Sequence, residues 1–231
     1  MRVVAIHGTE RKESTYHIAR QFIEGLEVSE DKVQEFFLPK DAPNFCRGCF
    51  QCFTDFKKCP DYRYIHPIVQ AMEEADLLIL TSPVYVYHVT GQMKAFLDHL
   101  GYQWMPHQPN QTMFSKQALI ISTAAGGGTK STIKDLTDNM WYWGVAKVYT
   151  YGVNVAAANW KGVSGKKKAH IQKQVNRLAM KIKSERNRIK PSLKVKGLYY
   201  IMRSMQKKFG FSEADVEYWK KQGWLDKKKP W

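Results

Sequence analysis

The chain lacks any run of about eighteen apolar residues, which excludes a membrane-spanning helix. Its first residues show no basic segment followed by a long apolar core, so no secretory signal is visible and the cytoplasm is the expected compartment. Cysteine is scarce and confined: four residues, all between 46 and 59, a pattern unlike the disulfide framework of a secreted domain. Neither G-x-G-x-x-G nor G-x-x-x-x-G-K-[ST] occurs, so dinucleotide and nucleoside-triphosphate cradles of those kinds are missing. Internal repeats are missing too. What remains is 231 residues, 44% hydrophobic and 13% aromatic, enough for one α/β domain with an extension or for two small domains.

Acidic side chains are few where basic ones are dense. The formal net charge is +15. Residues 161–231 hold 21 Lys/Arg against 5 Asp/Glu, a net of +16, and the first 160 hold 15 against 16, a net of −1. The tail therefore carries all of the excess. A lysine-rich helical tail is ordinarily a solvated face; acidic partners, nucleic acid or anionic lipid are what such charge attracts.

Along the chain, short apolar runs alternate with amphipathic ones. Arg2 to Ile6 reads as a buried strand and is followed by a helix opening on Ser14-Thr15, with Ile18, Phe22, Ile23 and Leu26 on one face. Val33 to Leu38 reads as a second strand ended by Pro39, and residues 40–63 as a long connection without periodicity. A helix over Ile65 to Glu74 leads to a strand from Leu77. A helix over Thr90 to Leu100 turns Met93, Phe96, Leu97 and Leu100 inward and pairs Lys94 with Asp98. A strand at Ala118 to Ile121, a helix over Ser131 to Trp143 and a strand over Lys147 to Val155 complete the alternation. Five strands and five helices in this order predict a three-layer, doubly wound parallel sheet of order 2-1-3-4-5.

That order gathers the loops after the first, third and fourth strands beside the switch point. They are the three unusual loops of the sequence. The first, Gly8 to Thr15, leads into a helix whose opening N–H groups lack intrahelical partners and whose dipole favours an anion. Thr9, Ser14 and Thr15 add hydroxyls and Arg11 a charged fork, so a phosphate is the expected guest; as an ordinary turn, the same stretch would merely be capped by Ser14. In the second loop Pro83 directs the chain out of its strand. The N–H groups of Tyr85, Val86 and Tyr87 are then expected to point at a flat, polar-edged ring, with the tyrosines packing beside it. In the third, Thr123 to Thr129, Gly126, Gly127 and Gly128 allow close main-chain approach, or form only a flexible turn.

The first of these loops, with Ser82-Pro83-Val84-Tyr85 and Gly91-Gln92-Met93-Lys94-Ala95-Phe96-Leu97-Asp98, resembles the NAD(P)H-dependent FMN reductase branch of the flavodoxin-like superfamily. The resemblance implies a flavodoxin-like fold, noncovalent FMN, a homodimer or homotetramer, and electrons passing from NAD(P)H to an acceptor. By position it implies that Thr9, Arg11, Ser14 and Thr15 hold the FMN phosphate. Pro83, Val84, Tyr85, Val86 and Tyr87 then border the ring, with Thr123, Ala124, Ala125, Gly126, Gly127 and Gly128. The first loop departs from the S/T-x-T-G-x-T loop of electron-carrier flavodoxins and carries Glu10, Lys12 and Glu13. Because a flavin carries the chemistry, no catalytic side chain is nominated; His88, His99 and His107 read as packing or surface residues.

Cys46, Cys49, Cys52 and Cys59 fall within fourteen residues, close enough to wrap a [4Fe–4S] cube, with tetrahedral zinc as the next choice. The spacing resembles the compact motif of iron–sulfur flavoproteins in the same superfamily; relatives with such a loop also occur without a cluster, the cysteines reduced or disulfide-linked. The leading expectation is thus an FMN-dependent NAD(P)H oxidoreductase. The alternatives are an iron–sulfur flavoprotein that hands on single electrons, and a nonenzymatic basic adaptor.

Residues 1–190 are expected to form the FMN domain, closed by a basic helix over Lys166 to Arg188 with Ile171, Val175, Leu178 and Ile182 inward. Residues 191–231 form a basic, aromatic extension, with Leu198, Ile201, Met202 and Met205 at helical spacing. Its aromatics are expected to pack against the domain or a second subunit; an interfacial helix with lysines on lipid headgroups is the rival.

Overall fold

A computed structural model describes residues 1–231. Strands β1 (Val3–His7), β2 (Val33–Phe37), β3 (Leu77–Pro83), β4 (Gln117–Ala124) and β5 (Lys147–Asn154) form one parallel sheet of order 2-1-3-4-5. Helices α1 (Ser14–Gly25), α2 (Gln51–Thr54), α3 (Tyr62–Glu74), α4 (Gly91–His99), α5 (Thr129–Tyr142) and α6 (Gly165–Glu185) connect and cover it. Two further helices, α7 (Leu193–Lys208) and α8 (Glu213–Lys221), follow. The architecture is flavodoxin-like, as expected. No helix is long and apolar enough to cross a membrane.

The central strands are apolar throughout because both their faces are covered. Val4, Ile6, Leu78, Leu80, Ala118 and Ile120 point to a 26-residue core under α3, α4 and α5. Val3, Ala5, Leu77, Ile79, Leu119 and Ile121 point to a 20-residue core under α1 and α6. Each Val, Leu or Ile among them, fully withdrawn from water, stabilises the fold by about 1.5–3 kcal/mol. β5 is an edge strand and alternates: Tyr149, Tyr151 and Val153 are buried between exposed neighbours. In register, Ser82 and Pro83 lie beside Ser122 and Thr123, while His7 pairs with Thr81. The ends of β1, β3 and β4 therefore open at one mouth.

Several expectations are corrected. The connection over 40–63 is not wholly irregular, since α2 and a short helical turn at Phe56–Lys58 lie within it. Leu178 is only half-buried, and Ala179 fills the inward position where α6 crosses α1, whose Gly25 lies against it. Ile201 is turned outward, because α7 seats Val195, Leu198 and Tyr199 against the domain instead. These join Met105, Phe114, Trp219, Trp224 and Leu225 in a third core of eight residues, which holds the extension to the domain.

Candidate functional site

The first strand ends in His7, which is buried and bonded to Thr81 Oγ1 (3.1 Å) and Glu35 Oε1 (3.0 Å). Arg20 in turn donates to Glu35 at 3.2 Å. Burial alone would raise the Glu35 carboxyl, but His7 and Arg20 outweigh it and hold the group below the usual range. The next residue, Gly8, donates to Thr81 O at 2.7 Å and accepts from Thr90 Oγ1 at 2.5 Å. A Cβ here would stand 2.9 Å from both Thr81 O and Thr90 Oγ1, so only glycine fits. The start of the loop is fixed before any ligand arrives.

α1 begins with Glu13 as its N-cap, yet no side chain caps its first turn. The Glu13 carboxylate instead accepts from the Trp160 N–H at 2.7 Å, which engages one acid of the loop in a bond to another segment. The amides opening α1 are left to an anion. Thr9, Arg11 and Ser14 line the same cleft, of about 150 Å³, together with Pro83, Val84, Tyr85, Thr123, Ala124 and Ala125. The structure thus brings nine of the sequence-nominated residues into one place. Glu13 lines the cleft as well; the remaining walls, Val155, Ala157 and Ala158, were not anticipated, and the run of small residues after β5 was the available signal.

The remaining nominees are placed differently. Thr15 is buried, and its Oγ1 shares a 2.6 Å hydrogen bond with Thr123 Oγ1, so it ties the first loop to the third rather than facing the cleft. Tyr85 and His88 exchange two 3.1 Å backbone bonds, which close a hairpin with Val86 and Tyr87 at its tip. The Tyr85 N–H is consequently spent inside the hairpin and cannot serve a ring edge, which corrects the sequence expectation. Val86 and Tyr87 have φ of 49° and 65°, and Val86 is 94% exposed. A β-branched residue in this conformation is strained, and such strain gathers at functional turns. Gly128 (φ 98°) is required by the hairpin, since a Cβ would stand 2.7 Å from Val84 Cγ1. Gly126 and Gly127 face open space.

Taken together, an uncapped helix start, two hydroxyls and a guanidinium at one end of the cleft fit a phosphate. Beside it Pro83, Val84 and Tyr85 with Ala124 and Ala125 give an apolar wall that fits a planar ring, and Gly126 and Gly127 leave the space next to the third loop open. The residues therefore suit FMN.

The profile of the NADPH-dependent FMN reductase family matches residues 1–159. The chain belongs to this family. As a member it is a flavin oxidoreductase. It is also similar to an iron–sulfur flavoprotein of Archaeoglobus fulgidus, 27% identical over 97% of this chain and 100% of that one. A second similar protein is an iron–sulfur flavoprotein of Methanocaldococcus jannaschii, 28% identical over 59% of this chain and 69% of the other. Among solved structures, an FMN-dependent NADH-azoreductase from Bacillus anthracis shares the fold with a TM-score of 0.58 and 12% identity, over 79% of this chain and 100% of that one. An NADH:FMN oxidoreductase in its apo form does so at 0.54 and 20%, over 78% and 89%.

The cysteine loop of this family member contrasts with the cleft. Asn44 anchors one end, through Asp61 (2.6 Å) and His99 (3.1 Å), and Gln108 anchors α2 by donating to Phe53 O. Between them, residues 45–49 make no hydrogen bond, and Phe45 and Phe50 stand 75% and 69% exposed. All four cysteines are free thiols. Burial, aided by the neighbouring Cys59, Cys46 and Cys49, pushes the Cys52 thiol up to about 11, and burial raises Cys59 as well. Four thiols are the right donor chemistry for a soft metal centre. They do not converge into a ligand set, and no group of three or more metal-binding side chains is assembled anywhere in the chain.

Proposed function

We propose that the chain is an NAD(P)H-dependent FMN oxidoreductase that passes electrons from a nicotinamide to a second substrate. The observation that carries this reading is the convergence of the uncapped α1 start, Arg11, the Pro83–Tyr85 turn and Thr123–Ala125 on one cleft. When bound, FMN supplies the acceptance and release of two electrons. The α1 amides, with Thr9, Ser14 and Arg11, would hold its phosphate, and Pro83, Val84 and Tyr85 with Thr123, Ala124 and Ala125 would border its ring, where a nicotinamide and then an acceptor would meet it. Glu13, which also lines the cleft, is tied to the segment after β5 by the Trp160 N–H.

Anaerobic mixing of the FMN-saturated protein with NADPH and NADH tests this. Bleaching of the flavin band by either supports the reading; FMN that leaves the melting temperature and its own fluorescence unchanged ends it. Should FMN bind but neither nicotinamide bleach it, a second reading takes over, in which the protein is an electron-transfer iron–sulfur flavoprotein. What favours that reading is the loop of four thiols and the name borne by the two similar proteins. Cys46, Cys49, Cys52 and Cys59 would hold a [4Fe–4S] cluster only if residues 45–50 close up, and no hydrogen bond across 45–49 opposes this. Anaerobic reconstitution with iron and sulfide, read by visible absorption, decides whether they do.

A further inference from the structure

Helix α7 has two unlike faces. Val195, Leu198 and Tyr199 are buried in the third core, and Gln206 is buried on the same side, donating to Pro106 O at 2.7 Å. The opposite side carries Leu193 (86% exposed), Tyr200 (43%) and Ile201 (57%), at the i, i+7, i+8 spacing that places side chains on one face. The Trp231 indole, itself partly exposed, meets Tyr200 edge-on at 6.2 Å and extends this apolar strip. No part of the chain covers it.

The charge on the helix and its flanks has one sign. From Arg186 to Ser212 there are eight Lys/Arg and no Asp/Glu. Arg186 pairs with Asp76, while Arg188, Lys190, Lys194, Lys196, Arg203, Lys207 and Lys208 form no ion pair with any carboxylate. The Lys194 ammonium stands 4.0 Å over the Trp141 ring and that of Lys196 5.7 Å over Trp231, so their stems lie along aromatic surface with the charge at the rim.

We propose that this face of α7, with Trp231, docks on the surface of an anionic phospholipid bilayer. An aliphatic centre flanked by Tyr and Trp, within a field of unpaired cations, is what holds a helix in the headgroup plane. A phosphodiester backbone would have no use for Leu193 and Ile201. Of the seven cations without a carboxylate partner five are lysine; protein interfaces deplete lysine, whereas lysine and arginine alike are drawn to anionic headgroups. The position also suits a bilayer. Phe114 lies just before β4, and Trp141 lies in the last turn of α5, so the extension packs beside the N-terminal ends of the strands, whereas the cleft opens at their C-terminal ends. A bilayer bound there leaves the flavin mouth open to water.

The test is co-sedimentation of the full-length, FMN-saturated protein with vesicles of phosphatidylcholine alone and of phosphatidylcholine mixed with phosphatidylglycerol. Pelleting is expected with the anionic vesicles only, falling as salt is raised. Lys207→Glu with Lys208→Glu should lower the vesicle partition coefficient by about tenfold or more, and Leu193→Ser with Ile201→Ser should lower it further. Melting temperature should hold in both, because all four side chains face solvent. Failure to pellet at low salt overturns the proposal, as does equal pelleting with neutral vesicles. Tighter binding to duplex DNA than to vesicles would make the face a nucleic-acid surface. Loss of a dimer in the serine variant without vesicle binding would make it a contact between copies. Either result also overturns the proposal.

Discussion

The loops after β1 and β2 leave adjacent strands, and each carries a candidate for binding a redox group. The first is built before anything binds. Gly8 is clamped between Thr81 and Thr90, His7 between Thr81 and Glu35, and Thr15 to Thr123. The second is held only at its ends, and five successive residues make no hydrogen bond. The difference follows from the guests. A phosphate needs aimed donors, and these cost least when the fold aims them in advance. Thiolates bind a metal by covalent-strength bonds that organise the loop themselves, so the binding energy can supply the order.

This contrast can be broken most decisively at the cysteines. Cys52→Ser is expected to abolish any iron–sulfur absorption after anaerobic reconstitution while leaving FMN affinity within about twofold, because the two loops are organised separately. A simultaneous loss of FMN would show that they are one unit. Next in size, Arg11→Ala and Ser14→Ala should each raise the FMN dissociation constant by roughly tenfold, the worth of a hydrogen bond to a charged group. Fluorescence titration measures this, and an unchanged constant would move the phosphate elsewhere. A smaller effect is expected at the tie between the loops. A double-mutant cycle of Thr15→Val and Thr123→Val should give a coupling of about 1 kcal/mol in urea unfolding. The smallest effect concerns pH. Glu35 sits below the usual carboxylate range when folded, so its contribution is present above its unfolded pKa and lost as pH falls through the folded value. Below about pH 4.3 the wild type should therefore lose stability more steeply than Glu35→Gln; parallel acid limbs would remove His7 and Arg20 as its partners.

Much of this was legible in residues alone. Continuous apolar runs separated by amphipathic ones fixed a parallel sheet, and three odd loops at the ends of its three central strands marked the mouth. Nine nominated residues do meet there. What escaped were pairings between distant segments. Thr15 finds Thr123 across 108 positions, and Glu13 finds Trp160 across 147. No local pattern distinguishes a hydroxyl left for a ligand from one spent on another loop. The Tyr85–His88 hairpin escaped for another reason, since Val86 and Tyr87 are not residues that announce a left-handed turn.

From composition and period, the sequence alone determined the layer architecture, the position of the mouth and the confinement of the net positive charge to the last seventy or so residues. Tertiary structure decided which donors stay free and which side of α7 turns outward. That helix carries apolar residues on both sides, Val195, Leu198 and Tyr199 on one and Leu193, Tyr200 and Ile201 on the other. Periodicity cannot choose between two apolar faces; the choice falls to Phe114, Trp219 and Trp224, which fit only one of them.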